Sequence, residues 1–182
     1  MTNEKLPLYD LTSSFWDNQK RGPRELTSVE EQQINELKQV IENLKRENGI
    51  DLSFEFFGKK IESPVGLCAG PAYGSKWLSL YANLGYDILT QKTVRDRFWN
   101  GHPLPNIVHI EGSWKDGFKI ADEFTGSITN SFGIGSLAPE EWSVDLTSFV
   151  KSLDGHKTMK ISTVCTPSKG ETQEDIVDQF VN

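Results

Sequence analysis

The residues of this chain whose types suit chemistry stand where predicted strands end. Lys92 and Thr93 follow one apolar run, and the small residues Ala69 and Gly70 close an earlier one. Asn130 lies near the end of a third segment, which turns polar and glycine-rich. In folds built on parallel strands, ligands bind at the carboxyl ends of the strands. We therefore expect these five residues to share one edge of a sheet and to bind a ligand there.

A strand–helix–strand unit must position the first four of these residues. The apolar run at 64–69 predicts a buried strand, and the run at 86–91 predicts a second one. Between them, Gly74-Ser75 offers a helix N-cap and Gly85 offers a helix end. A crossover of this length implies two parallel strands with the helix on one face of the sheet.

Two further strands complete the predicted α/β core. They are expected at 127–131 and 159–164, with one helix that Pro139 opens and a last helix over 172–181. Four strand–helix units fit two architectures, the N-terminal half of a (β/α)8 barrel or an open doubly wound sheet. On pattern alone the two carry similar weight.

The N-terminal residues 1–50 are predicted to form a segment separate from the barrel portion at 51–182. Residues 1–26 show no sustained period and predict an irregular arm whose aromatic side chains pack on the domain. A capping box at Ser28 and Glu31 begins an amphipathic helix. Its polar face is mixed and acidic, whereas a helix on a membrane surface presents a basic one. We therefore expect its apolar stripe to pack on its own domain.

A β-hairpin and a long connection flank the strand–helix–strand unit. Residues 52–61 alternate in polarity and turn at Gly58-Lys59, which predicts a hairpin. A barrel commonly places a hairpin before its first strand, so this feature favours the half barrel. After Thr93 the chain is first polar, then short and β-like at 107–110, and irregular over 112–126. So long a connection is typical of a functional loop.

Composition excludes several classes of function. The 182 residues carry a net charge of −7, which argues against nonspecific binding to nucleic acid or to anionic membranes. No apolar run is long enough to span a bilayer, and no spacing of Cys, His or acidic residues is typical of a metal site. Cys68 and Cys165 stand in two separate predicted strands, which indicates reduced thiols and a cytoplasmic location.

Four short motifs together resemble the dihydroorotate dehydrogenase family. They occur in order between residues 52 and 164 and read Leu67-Cys68-Ala69-Gly70, Gln91-Lys92-Thr93, Gly101-His102-Pro103-Leu104-Pro105-Asn106 and Thr129-Asn130-Ser131-Phe132-Gly133. Members of that family are FMN-dependent (β/α)8 barrels that oxidise dihydroorotate to orotate in pyrimidine biosynthesis. The resemblance thus implies a flavin oxidoreductase of which this chain is the N-terminal portion.

The resemblance also implies a role for each matching residue. The backbone of Ala69 and Gly70 would approach the flavin, with Thr93 nearby, and Lys92 would be the catalytic residue that touches both flavin and substrate. Asn130 would hydrogen-bond the substrate. The substrate's carboxylate would be held by the backbone of the residues that follow, which are Phe132, Gly133 and Ile134. These residues have simpler explanations when taken one by one: a solvated lysine at Lys92, turn chemistry at Asn130.

Departures from the family pattern leave part of the site open. His102 stands where the family loop has asparagine, and Asn106 where it has arginine. No residue matches the family's catalytic base or its FMN phosphate site, and we interpret Cys165 as a structural thiol rather than a substitute base. We expect a truncated chain that forms a homo-oligomer or that a second chain completes. A non-catalytic binding or scaffolding module, or a flavoprotein acting on another dihydropyrimidine, is the alternative.

Overall fold

The computed structural model describes residues 7–10, 12–123, 125–153, 155, 157–163, 172–174 and 177–178. It confirms a mixed α/β fold, and its elements in chain order are α1 (Phe15–Arg21), α2 (Ser28–Asn48), β1 (Phe54–Phe56), β2 (Lys59–Ile61), α3 (Ser75–Asn83), β3 (Ile88–Val94), β4 (Ile107–Ser113), β5 (Gly117–Ala121), β6 (Ile128–Asn130), α4 (Pro139–Ser152) and β7 (Thr158–Thr163). The chain divides into two compact units. The first runs up to Lys92 and resumes over Trp142–Ser162, and the second comprises Thr93–Glu141 and resumes at Thr163.

The core of the first unit lies between β3 and the helices α3 and α4. Helix α3 begins and ends as predicted, and its buried side chains recur at helical spacing. Helix α4 begins at Pro139 as predicted. The buried cluster consists of Leu67, Ala72, Trp77, Leu78, Leu80, Leu89, Leu146 and Phe149.

The predicted buried strand at 64–69 is wrong in extent and in burial. One parallel bridge joins Gly66 to Ile88, and the Leu67 backbone N–H donates to the Ile88 carbonyl at 2.7 Å. Leu67 is buried, whereas Val65 and Cys68 are exposed. Pro64 opens the run and Pro71 follows it by two residues, and a proline has no N–H to give a ladder, which limits the pairing on either side of Gly66.

Strand β3 extends further than its prediction, which ended at Gln91. Lys92 and Thr93 therefore lie inside the strand rather than beyond its exit. The strand continues because Val94 is apolar and buried, and Thr93 is β-branched, a type that favours strands. Strand β7 pairs with β3, and the Thr158 N–H donates to the Asp87 carbonyl at 2.9 Å.

The second unit contains a three-stranded antiparallel sheet in the order β5-β4-β6. Two predictions are therefore wrong: 112–126 is not irregular throughout, because it contains β5, and the strand expected at 127–131 is not a parallel strand. The predicted count of four parallel strand–helix units is therefore wrong as well. Gly112 has a φ of +130°, and a Cβ there would lie 2.1 Å from the Gly117 carbonyl, so a glycine permits the close approach of β4 and β5.

The N-terminal arm is more regular than predicted. It contains α1, whose first turn is capped by the Ser14 side chain accepting from the Asp17 N–H. The capping box of α2 is formed by Thr27 and Glu30, one residue before the predicted Ser28–Glu31 box. Both pairs have the required spacing, but Arg24 donates to both carboxylate oxygens of Glu30 at 2.7 and 2.8 Å, which stabilises that choice.

The apolar stripe of α2 does not pack as predicted. No residue of α2 is buried, and Leu37 and Leu44 are 60% and 52% exposed. The stripe of Ile34, Val40 and Ile41 has the spacing of an amphipathic helix, but spacing alone does not name what covers it. The part of the chain that the structure describes provides no such cover.

The predicted hairpin is confirmed as β1 and β2, with Phe54 opposite Ile61, but its turn lies one residue before the predicted Gly58-Lys59. Phe57 and Gly58 form its turn at φ values of +48° and +72°, as a type I′ turn requires. Buried Asp87 anchors the residues after the hairpin: one of its oxygens accepts from the N–H groups of Glu62 and Ser63, each at 2.9 Å. Its other oxygen pairs with Lys157 Nζ at 2.9 Å.

Helix α3 begins at Ser75, where the sequence predicts it, but Gly74 has no side chain to cap it. Asp145 of α4 supplies the cap instead. Its carboxylate accepts from the Ser75 N–H at 2.7 Å and from the Ser75 hydroxyl at 2.5 Å. A cap borrowed from a distant helix fixes α3 against α4 as well as satisfying its first N–H groups.

The predicted strand at 159–164 corresponds to β7. Val164, Cys165 and half of the predicted helix over 172–181 lie outside the described residues; within it, residues 173–174 and 177–178 are helical. Within the described part of the chain, no helix combines the length and the apolar character needed to cross a membrane.

Candidate functional site

Lys92 lies in the first unit, where the loop after residue 70 returns to β3. Its backbone N–H donates to the Ala72 carbonyl at 2.7 Å, and its ammonium lies over the Tyr73 ring, 5.3 Å from the centroid. The next residue of the loop, Gly74, donates its N–H to the side-chain oxygen of buried Gln91 at 2.9 Å. Two successive residues of β3 therefore fix the loop that carries Tyr73.

Tyr73 also contacts helix α1 of the same unit. The ring of Phe15, on α1, meets it edge to face at a centroid distance of 4.8 Å. Burial raises the pKa of the Tyr73 phenol to about 12, so the ring carries no charge at neutral pH. The sequence analysis did not single out Tyr73, because an aromatic residue in a turn has no period that would reveal its contacts.

Ala69 and Gly70 are half-buried and precede this loop. A Cβ built on Gly70 would meet no atom within 4 Å, so there is open room against its backbone. A planar ring needs such room to lie against a chain segment, and a residue without a side chain leaves it.

The second unit contains the loop predicted to bind the substrate. Gly133 and Ile134 have φ values of +75° and +52°, and this conformation is uncommon for isoleucine. The carbonyls of both residues accept from the buried Arg95: Nη2 donates to Gly133 and Nε to Ile134, each at 3.0 Å. Arg95 thus holds two successive carbonyls on the same side of the loop.

Trp99 and Ser136 also hold the loop that Arg95 contacts. The indole N–H of Trp99 donates to the Gly133 carbonyl at 2.9 Å, and the Arg95 guanidinium lies 5.0 Å from the Trp99 ring centroid. Trp99 and Ser136 form an antiparallel bridge, and the Ser136 hydroxyl accepts from the Arg95 N–H at 3.0 Å. These contacts show Trp99 packed against the loop at 133–136. Nothing in the local pattern had pointed to Arg95.

The backbone N–H groups of this loop, unlike its carbonyls, are not used in hydrogen bonds to the described part of the chain. Among the residues that the structure describes, none accepts a hydrogen bond from the backbone N–H of residues 132–135. Successive backbone N–H groups in a turning segment can form a nest, which binds anions. We call the N–H groups of residues 132–135 the nest: they are available to a carboxylate, whereas the carbonyls of Gly133 and Ile134 are used by Arg95 and Trp99.

Asn130 precedes this nest, and Phe132 is its first residue. Asn130 ends β6 opposite Ile107, and its exposed side-chain amide has no partner among the described residues. An amide offers both a donor and an acceptor, as a pyrimidine ring with alternating C=O and N–H groups requires. Phe132 is 50% exposed and offers an apolar face beside it.

His102 packs against the same loop. Its Nδ1 lies 3.1 Å from the Ser131 carbonyl and 2.9 Å from the Ser131 hydroxyl, and its backbone N–H donates to the Phe132 carbonyl at 3.0 Å. A Cβ on Gly133 would lie 2.6 Å from the His102 ring, so the ring occupies the space that a side chain there would need. The departure from the family's asparagine thus lies beside the predicted substrate loop.

The sequence-predicted site residues are divided between the two units. Ala69, Gly70 and Lys92 belong to the first, whereas Thr93, Asn130, Phe132, Gly133 and Ile134 belong to the second. The roles of all eight stay predictions. Within the described residues, no group of three or more His, Cys, Asp or Glu side chains could hold a metal ion.

Comparison with known proteins supports the resemblance seen in the motifs. No family model matches the chain. Over 97% of its length it is 28% identical to the dihydroorotate dehydrogenase of Dictyostelium discoideum, of which the match covers 48%. The crystal structure of ligand-free DHODH from Eimeria tenella covers 70% of the chain at a TM-score of 0.51 and 20% identity, with 33% of that structure matched. The ferulenol complex of the same Eimeria tenella protein matches 70% of the chain at a TM-score of 0.49 and 18% identity.

Two facts follow from the extent of these matches. The chain spans about half the length of the curated relative it matches. Because 97% of the chain is aligned, the similarity also includes most of residues 1–50. The four motifs lie between residues 52 and 164, so the similarity extends beyond them into the N-terminal segment.

Proposed function

We propose that this chain is the N-terminal portion of a (β/α)8 barrel that oxidises dihydroorotate to orotate with FMN, in the manner of dihydroorotate dehydrogenases. The observation that carries the proposal is the nest at 132–135. It supplies backbone donors for a carboxylate next to Asn130, an amide suited to a pyrimidine ring. Dihydroorotate is a small ring that carries one carboxylate, so both features suit it.

The residues of the first unit fit a flavin in two respects. Gly70 leaves open room against its backbone, and Lys92 supplies a cation in a half-buried setting. FMN, when bound, accepts the hydride that the substrate loses. Ala69, Gly70 and Thr93 would hold the flavin ring, and the Lys92 ammonium would offset the negative charge that the flavin acquires on reduction.

The chain's own residues then act mainly by binding and orientation. The nest fixes the carboxylate, Asn130 fixes the ring by one donor and one acceptor, and Phe132 keeps water from one face. Holding a reactant in one orientation is among the larger sources of rate enhancement. Lys92 is assigned as the residue that touches the reacting atoms.

We further propose a cytoplasmic enzyme that works as an assembly. The sequence prediction of a homo-oligomer, or of a second chain that completes the barrel, is kept as part of this proposal.

Two titrations of the 182-residue chain test the proposal. FMN is added and its fluorescence followed, and then orotate is added in a calorimeter with FMN present. We expect FMN to bind, and orotate binding to weaken in Asn130→Ala. Lys92→Ala should slow flavin reduction by dihydroorotate by roughly a hundredfold, as the loss of a positioned charge commonly does.

Lys119→Ala is the matched control, because Lys119 is an exposed lysine paired with Glu111 on the antiparallel sheet. It should change neither titration. A chain that binds neither FMN nor orotate would contradict the proposal and favour a non-catalytic module. Turnover of a dihydropyrimidine without a carboxylate in preference to dihydroorotate would contradict the substrate.

A further inference from the structure

The ammonium of Lys92 lies on the face of an aromatic ring that belongs to a fixed loop. Its distance from the Tyr73 centroid is 5.3 Å, within the range in which a cation and a ring attract each other. The loop is bonded to β3 at both Lys92 and Gln91, so ring and lysine share one rigid support. A lysine has a long flexible stem, and a ring face restricts where its charge can lie.

The ring is in turn fixed from the N-terminal arm. Phe15 meets the Tyr73 ring nearly at right angles, with an interplanar angle of 83°. Phe15 opens α1, whose N-cap is Ser14, and it also packs edge to face on Trp16 at 4.9 Å. A continuous series of contacts therefore runs from α1 through Phe15 and Tyr73 to Lys92.

We propose that Tyr73 is a positioning residue for Lys92 and that Phe15 fixes Tyr73, so that the N-terminal arm sets the position of the catalytic ammonium. The role given to Lys92 rests on the proposed function, but the contact between Lys92 and Tyr73 does not. The neutral phenol suits this role, because a phenolate would draw the ammonium to its oxygen and away from the ring face.

The first test needs neither cofactor nor substrate. Lysine labelled with ¹³C at Cε is incorporated into the chain, and the Lys92 signal is assigned as the one missing from Lys92→Arg. Because protons over an aromatic ring are shielded, we expect the Lys92 ε protons to resonate upfield of the other lysines and to show cross-relaxation with the Tyr73 ring. Absence of both in the wild-type chain would overturn the proposal, whatever the variants do.

Substitutions then separate the ring from the hydroxyl. Tyr73→Phe keeps the ring and should keep the upfield shift, whereas Tyr73→Leu should bring the Lys92 signal to the position of an exposed lysine. Phe15→Leu should reduce the shift in part. Tyr81→Leu is the control: Tyr81 packs edge to face on Tyr86 at 5.7 Å in the same unit, and its loss should leave the Lys92 signal unchanged.

The second test links the contact to the reaction. In the FMN-loaded chain we expect Tyr73→Leu to slow flavin reduction by about two- to fivefold, the value of an exposed to partly buried cation–ring contact. Tyr73→Phe should restore the wild-type rate. Equal rates in Tyr73→Leu and the wild type would overturn the positioning role. If no variant binds FMN, the proposed function fails, and the NMR measurement still decides whether Tyr73 positions Lys92.

Discussion

Arg95 is the side chain whose replacement tests the substrate loop most directly. Arg95→Lys keeps the charge but replaces a planar fork of donors by one nitrogen, so it cannot reproduce both bonds to Gly133 and Ile134. A hydrogen bond from a charged group is worth about 1.5–3 kcal/mol. Loss of one of the two bonds therefore removes an amount comparable to the cost of holding Ile134 at positive φ, which is about 1–3 kcal/mol.

We expect the loop to relax and the carboxylate nest to open. At about 1.4 kcal/mol per tenfold, the loss corresponds to roughly a 10- to 100-fold rise in the Kd for orotate. Arg97→Lys is the matched control, since Arg97 lies two residues away, is half-exposed and pairs with Asp96. That change should leave orotate binding unchanged.

Calorimetry with orotate measures the affinity, and the backbone coupling constant of Ile134 reports its φ without any ligand. A melting curve for each variant shows whether the chain is still folded at the temperature of the titration. Wild-type orotate affinity and an unchanged Ile134 coupling in folded Arg95→Lys would refute the argument that Arg95 holds the loop.

Three further predictions concern stability. Asp87→Ala removes the buried partner of Lys157 and should lower the free energy of unfolding in urea by about 3–5 kcal/mol; a loss below about 1 kcal/mol would contradict the burial of this pair. Asp145→Ala removes the cap that α4 supplies to α3 and should lower the free energy of unfolding by about 0.5–2 kcal/mol in the same assay. An unchanged free energy would mean that water replaces the carboxylate and would contradict this prediction. The hydrogen bonds from Arg24 are the main cause that lowers the pKa of Glu30 to about 2, from an ordinary value of 4.5. The stability that the ionised Glu30 adds is therefore present above about pH 4.5 and is lost as the pH falls towards 2. Acid titration by circular dichroism should show this loss in the wild type and not in Glu30→Gln.

Local chemistry was enough to predict most of the helices. Pro139 and Gly49 have backbone preferences that act within a few positions. Helix α4 begins at Pro139, and α2 ends directly before Gly49. The capping box of α2 was misplaced by one residue because Thr27 and Ser28 each have a glutamate three positions on. Only Arg24 distinguishes the two, and its contact with Glu30 depends on how the arm folds.

Long-range pairing is what the sequence could not supply. Strand β5 pairs with β4 through Gly112, and β6 returns to β4 from the other side. A strand was predicted where β6 lies, but its antiparallel partner was not, and β5 was not predicted at all. The same limit applies to the site. Lys92 and Asn130 could be identified from the motifs. Tyr73 and Arg95 could not, because they act through tertiary contacts that residue spacing does not reveal.

The Asp145 cap on α3 determines which ligands the N-terminus of this helix can bind. A glycine-containing turn that leads into a helix is a usual cradle for nucleotide phosphates, because the first N–H groups of the helix attract anions. Here Asp145 has already placed a carboxylate 2.7 Å from the Ser75 N–H. A phosphate arriving there would find the Ser75 N–H taken and a negative charge in its path. We therefore expect the phosphate of a bound nucleotide to be held elsewhere, and the turn at 70–75 to contact only the uncharged part of such a ligand.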